Sequence, residues 1–210
     1  MNKSVVKSIN IEENFDEAVK SATELFFNGG VFIYPTDTIY GFGGNPFNDE
    51  VVRKITRIKG KPDWKRYIHL VGSVEILLKY VEIKSEKFYD FLLNIWPNPV
   101  SVVMKLNQQT RDILGAETAA FRIPNHRFCL KLLNEIKMPM ISTSVNRSGK
   151  EPMNDPDMII QEFGKEVDAV FYSDKKSFFE ASTVIDLSDE EPKLIREGKI
   201  KFSEIIKNFK

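Results

Sequence analysis

Four apolar residues, Val31-Phe32-Ile33-Tyr34, run without a polar break into Pro35. A short apolar run rich in β-formers reads as a buried strand. Proline ends it, having no N–H to donate to a ladder. Thr36, Asp37, Thr38 and Tyr40 follow, then Gly41, Gly43 and Gly44, where the backbone is free to take positive φ or to let a ligand approach closely. The segment lacks the Gly-Lys-Ser/Thr of a Walker loop and the spacing of a dinucleotide fingerprint. Read blandly, it is a wide strand-to-helix connection.

Around this strand, helical and strand patterns interleave. Asp16–Phe27, Asn48–Ile58, Ser73–Val81, Ser85–Ile95, His126–Ile136, Asp155–Phe163 and Phe202–Phe209 carry helical spacing. Asn48 reads as an N-cap and Asn28-Gly29-Gly30 as a helix stop. Tyr67–Val71, Val100–Leu106, Ala119–Ile123, Met140–Ser144, Ala169–Tyr172, Thr183–Leu187 and Lys193–Arg196 read as strands. The expectation is an α/β domain with a mixed sheet, in an order too irregular for a regular doubly wound fold.

A second polar segment, Ile141-Ser-Thr-Ser-Val-Asn-Arg-Ser-Gly149, closes one of these strands. Alternation puts Ser142, Ser144 and Asn146 on one face. Such a row of hydroxyl and amide groups suits an anion or a nucleotide, and it also reads as an ordinary Asn/Ser/Gly turn.

Composition narrows the classes. The 210 residues carry 30 Lys plus Arg and 30 Asp plus Glu, so the formal charge is zero and gives no support for bulk attraction to nucleic acid or membrane. One cysteine, Cys129, excludes a disulfide framework or a thiolate cluster and reads as a core residue. Two histidines, His69 and His126, exclude a His-rich metal site. With no long apolar run, the expectation is a soluble cytoplasmic protein of one domain, residues 1–210.

Pro35-Thr-Asp-Thr-Ile-Tyr-Gly-Phe-Gly43 and Ser142-Thr-Ser-Val-Asn-Arg-Ser-Gly149 resemble two signatures of the YrdC-like family, the threonylcarbamoyl-AMP synthases. Lys59-Gly-Lys-Pro62, Trp96-Pro-Asn-Pro99, Phe121-Arg-Ile-Pro124, and Ser182-Thr-Val-Ile-Asp186 with Ile195-Arg-Glu-Gly198 follow in the family's order. The resemblance spans about Val31 to Gly198. It implies a twisted mixed sheet with surrounding helices and a concave ligand cavity. It also implies formation of threonylcarbamoyl-AMP and pyrophosphate from L-threonine, bicarbonate and ATP, for tRNA modification. That chemistry is positioning plus charge neutralisation and needs no protein nucleophile or general base.

Carried over residue by residue, the resemblance assigns Arg122, Thr36, Tyr40, Ser142 and Ser182 to L-threonine, with Arg122 clamping the carboxylate. It assigns Lys59, Lys61, Ser144, Asn146 and Arg196 to ATP. A Mg2+ ion is expected on the triphosphate, with no dedicated protein cage. Plainer readings stand beside these: Arg122 as an edge arginine, Tyr40 as a core aromatic, Lys59 as a solvated helix-end lysine, and Arg196 paired with Glu197 or Glu191.

The pattern departs from the family in three places. Lys61 stands where an arginine is usual, Asp37 replaces a glutamate, and Arg66-Tyr67-Ile68-His69-Leu70 replaces a segment ending in histidine. His69 is therefore a threonine-site candidate by displacement. Longer members also carry a second C-terminal domain, and the expectation here is the short single-domain form. A protein partner in the tRNA threonylcarbamoyl transferase machinery is expected. Two alternatives remain: a divergent paralogue with another acceptor, and an RNA-binding module using the basic cluster Lys59, Lys61, Lys65 and Arg66 around Trp64.

Overall fold

The computed structural model describes residues 6–60, 67–175 and 180–209. In chain order the elements are β1 (Lys7–Asn10), α1 (Phe15–Phe27), β2 (Phe32–Tyr34), β3 (Gly41–Gly43), α2 (Asp49–Lys59), β4 (Ile68–Leu70), α3 (Val74–Leu77) and α4 (Glu86–Ile95). There follow β5 (Val100–Lys105), α5 (Gln108–Leu114), β6 (Thr118–Arg122), α6 (Arg127–Ile136), β7 (Met140–Ser144), α7 (Pro156–Phe163), β8 (Ala169–Tyr172), β9 (Thr183–Asp186), β10 (Lys193–Arg196) and α8 (Phe202–Ile205). Among the described residues, ten strands form one sheet in the order β1-β8-β2-β3-β7-β4-β6-β5-β9-β10. The pairs β1/β8, β8/β2, β4/β6 and β5/β9 are parallel and the others antiparallel, so the sheet is mixed, as expected.

The apolar run at β2 is explained by cover on both faces. Phe32 and Tyr34 point into a core built with α1 and α6, through Ala18, Ala22, Phe26, Phe128 and Leu132. Val31 and Ile33 point the other way, into a core built with α2 and α7, through Val51, Ile55, Ile159 and Phe163. The remaining strands β5, β6 and β9 are packed by α3, α4 and α8 in a third cluster around Phe91, Leu92 and Phe121. Cys129 is buried, as expected of a core residue. Among the described residues no helix is long and apolar enough to cross a membrane.

Three elements lie outside the sequence expectation. β3 consists of Gly41-Phe42-Gly43, where the sequence predicts a wide strand-to-helix connection. Here the glycines make room for neighbours: a Cβ on Gly43 would lie 2.7 Å from the Tyr34 ring and 2.8 Å from the Phe32 ring. β1 is a half-exposed edge strand with little apolar signal, and α5 buries only Thr110 and Leu114. The helix expected over 73–81 is a single turn, Val74–Leu77. The last helix passes into a 3-10 turn at Ile206–Asn208.

The sheet curls. β2 and β6 are separated in it by β3, β7 and β4, yet Arg122, the last residue of β6, donates from Nη1 to Thr38 Oγ1 just past β2, at 3.0 Å. That closure creates the concavity in which the candidate site lies.

Candidate active site: a hydroxyl-lined cleft between two buried cations

A cleft of about 230 Å³ opens inside the curl. Its floor is Ser142, Thr143 and Ser144 of β7, with Ile68 of β4 beside them. One wall is Thr38 to Gly41; the other is Ala181, Ser182 and Arg196, with Arg122 between them and Pro152 at the rim. Gly41 has a role here, since a Cβ there would approach Ser142 Oγ to 3.1 Å and crowd the hydroxyl row. The structure thus brings together Arg122, Ser142, Ser144, Ser182 and Arg196, and the backbone around Tyr40.

Arg122 is 3% exposed, which disposes of the edge-arginine reading. Its Nη2 lies 3.2 Å from Asp37 Oδ1. Asp37, which the sequence reading treats only as a mild replacement, borders the second cavity rather than the cleft; an acid in the polar turn two residues after a strand-ending proline is the available signal. Thr38, equally unassigned, is set by Thr36, whose Oγ1 lies 2.9 Å from Thr38 Oγ1, accepts the Thr38 N–H at 3.0 Å and donates to Ile39 O at 2.7 Å.

Thr36 itself does not line the cleft. Its hydroxyl is taken up in the turn, and it borders a second cavity of about 510 Å³ together with Glu12, Asp37, His126 and Lys199. The Tyr40 ring is likewise in the core, as in its plainer reading. Its hydroxyl donates to Ser173 O at 3.4 Å and accepts the Ser173 N–H at 3.0 Å. Ser182 Oγ pairs with Ser101 Oγ at 2.9 Å, and Ser182 O accepts from Arg196 Nη2 at 2.9 Å, so these two residues form one wall. Arg196 is thus bonded to a backbone carbonyl, and burial lowers its pKa.

His69 does not reach the cleft. Strand alternation sends Ile68 to the cleft side and His69 to the other face, beside Tyr67, Leu114 and Ile141. Its ring centroid is 5.5 Å from that of Phe121, its Nδ1 has no hydrogen-bond partner among the described residues, and burial pushes its pKa down to about 4. A neutral imidazole on the wrong face cannot neutralise a threonine carboxylate.

Lys59 is not a solvated helix-end lysine either. It closes α2, where Gly60 takes the left-handed conformation (φ 63°) that ends the helix and turns the chain. At 5% exposure, Lys59 donates to Ser144 O at 2.6 Å, Asn146 Oδ1 at 2.8 Å and Asn146 O at 3.2 Å. Ser144 Oγ donates to the same Asn146 Oδ1 at 2.7 Å, and Asn146 Nδ2 donates to Lys150 O. Lys59, Ser144 and Asn146 are therefore one network behind the cleft floor. Lys61, Trp64, Lys65 and Arg66 lie outside the described residues. Among the described residues no three His, Cys, Asp or Glu side chains gather as a metal-ligand group.

Chemically, the cleft offers a fixed guanidinium, a row of neutral hydroxyl donors, a second arginine and a lysine behind the floor. This is a binding surface for a ligand that carries carboxylate or phosphate oxygens. A curled mixed α/β sheet with a polar, arginine-flanked cleft defines the class of protein.

The chain belongs to the Sua5/YciO/YrdC family. The family's model, described as "Telomere recombination", matches residues 24–198. The chain is 28% identical over 205 residues to the threonylcarbamoyl-AMP synthase of Pyrococcus abyssi, covering 95% of this chain and 59% of that protein. It is similar in structure to P. abyssi Sua5 complexed with L-threonine (TM-score 0.85, 26% identity, 98% of this chain and 61% of that one). It is also similar to E. coli YciO (TM-score 0.80, 26% identity, 92% of this chain and 93% of that one). The chain thus spans about three-fifths of the P. abyssi proteins, 59% and 61% of their lengths, and nearly the whole of YciO, 93%.

Proposed function

We propose that this chain is an L-threonylcarbamoyladenylate synthase, a nucleotidyltransferase that makes threonylcarbamoyl-AMP and pyrophosphate from L-threonine, bicarbonate and ATP. The observation that carries the reading is the buried Arg122, fixed by Asp37 and Thr38 at the wall of a hydroxyl-lined cleft. Similarity to a synthase and to a threonine-bound Sua5 supports it. In this reading Arg122 takes the threonine carboxylate and Ser142 and Ser182 border the amino acid. The threonine amine takes up carbon dioxide as a carbamate, a carbamate oxygen attacks the α-phosphate of ATP, and pyrophosphate leaves. Ser144, Asn146, Lys59, Lys61 and Arg196 serve the nucleotide, and Mg2+ travels with the triphosphate oxygens and water. The protein supplies position and charge, with no nucleophile of its own. The product passes to a tRNA threonylcarbamoyl transferase in the cytoplasm.

Lysine at position 61 and the altered Arg66-Tyr67 segment favour a second reading, a paralogue that uses the same cleft for another acceptor. Pyrophosphate release from ATP separates the two. Release that requires both L-threonine and bicarbonate supports the synthase; release with a different amino acid supports the paralogue. Release with none, from folded protein, removes both, and salt-dependent RNA binding would then favour the RNA-binding module.

A further inference from the structure

We infer that Asp37 is a positioning residue that sets the Arg122 guanidinium for an amino-acid carboxylate; the inference rests on the reading of the cleft as an amino-acid site. The two side chains form an ion pair at 4% and 8% exposure. The carboxylate has holders of its own. Its Oδ2 accepts the Asn125 N–H at 3.1 Å, just ahead of α6, and the Asp37 backbone carbonyl accepts from Lys199 Nζ at 3.2 Å. Asp37 is therefore anchored to two other segments independently of Arg122, and the guanidinium is the group being placed.

The other arm of the guanidinium donates to Thr38 Oγ1, which Thr36 holds. Among the described residues, Arg122 Nε is then a buried donor without a hydrogen-bond partner, and Asp37 Oδ1 makes its ion-pair contact at 3.2 Å without a hydrogen bond. Buried donors are nearly always paired in folded proteins. Arg122 also lines the cleft, and its guanidinium retains N–H capacity beyond the two contacts it makes here. The pair thus fixes the place of the guanidinium while part of its hydrogen-bonding capacity stays unused. Cationic recognition of the carboxylate is then pre-organised, with no ordering of a long side chain on binding.

The test is steady-state kinetics of pyrophosphate release for wild type, Asp37→Asn, Asp37→Glu, Arg122→Ala and the double variant Asp37→Asn/Arg122→Ala. Asp37→Asn keeps the shape and removes the charge. It should raise the threonine KM on the order of tenfold to a hundredfold and leave the ATP KM unmoved, while Asp37→Glu recovers most of the loss. Because Asp37 acts through Arg122, the double variant should be no worse than Arg122→Ala alone. A threonine KM unchanged in Asp37→Asn, ATP and threonine KM rising together, or a double variant that multiplies the two losses would each overturn the inference.

Should Asp37→Asn not fold, the wild-type protein still decides. Titration with L-threonine alone should shift the Arg122 Nε–H resonance in a nitrogen-15 spectrum, and an unmoved resonance under saturating threonine overturns the proposal. Wild-type protein without any threonine-dependent release overturns the synthase reading and this inference together. Active wild type with an indifferent Asp37→Asn overturns the inference alone.

Discussion

Two buried cations flank the cleft, and they are held by different partners. Arg122 faces a carboxylate, Asp37, at 3.2 Å, with the Thr38 hydroxyl on its other arm. Lys59 donates to two backbone carbonyls and one amide oxygen, at 2.6 to 3.2 Å. Burying either charge costs several kcal/mol unless it is compensated. A carboxylate compensates by opposite charge and cancels most of the field. Carbonyl and amide oxygens compensate by accepting hydrogen bonds from the ammonium group. One flank is therefore a fork fixed by Asp37 and Thr38, and the other a lysine bonded into the Ser144–Asn146 network behind the floor. His69, across the sheet from the cleft, completes the contrast. With its Nδ1 unpartnered, burial holds it neutral.

Removing the guanidinium should break this contrast most severely. Arg122→Ala leaves Asp37 buried without its partner and should cost roughly 3–5 kcal/mol of stability, read by denaturant unfolding, along with about 2 kcal/mol or more of threonine binding. Next comes the neutral base. The folded pKa of His69 is about 4 against an ordinary value of 6.5. As pH falls from 6.5 toward 4, the unfolded chain binds the proton first, so stability is full above that window and drains away within it. The loss approaches about 3 kcal/mol by pH 4. Unfolding curves from pH 7 to pH 4 should show this slope, and His69→Phe should flatten it. The residual slope belongs in part to His126, whose pKa burial also lowers.

Lys59→Met keeps the stem and deletes the donor. It strands Ser144 O, Asn146 O and Asn146 Oδ1, and should cost roughly 1–3 kcal/mol, with weaker ATP binding and an unchanged threonine KM. If Lys59→Met and Arg122→Ala impair the same substrate equally, the division of labour between the two flanks is wrong. The smallest effect is expected at Ile195, which is 56% exposed on the edge strand β10. Ile195→Thr should stay within about 0.5 kcal/mol of wild type, and a larger loss would mean that this edge is covered in solution.

Legibility differed between elements for physical reasons. α2 was readable because Asn48 caps it, accepting from the Glu50 and Val51 N–H groups, and because one face is apolar. β7 was readable from its apolar start and its hydroxyl row. β3 was not, because what makes it a strand is aromatic neighbours on β2, seen only after pairing. The same holds in the site. Arg122, Ser142, Ser144, Ser182 and Arg196 were identified through motifs and do meet at the cleft. Thr36 and Tyr40 were assigned to ligand but spend their hydroxyls inside the fold, on Thr38, Ile39 and Ser173. Asp37 and Thr38 were overlooked because a one-dimensional pattern does not say which neighbour of a motif points at an arginine 84 or so residues away.

The sequence by itself determined the α/β class, most element positions and the motif set, since these depend on local periodicity, capping and turn chemistry. Only the tertiary structure decided which side chains face the cleft, which cations are buried and what compensates each of them. Those outcomes depend on strand register, where a single step reverses the face, and on the curl of the sheet that brings the end of β6 against the turn after β2.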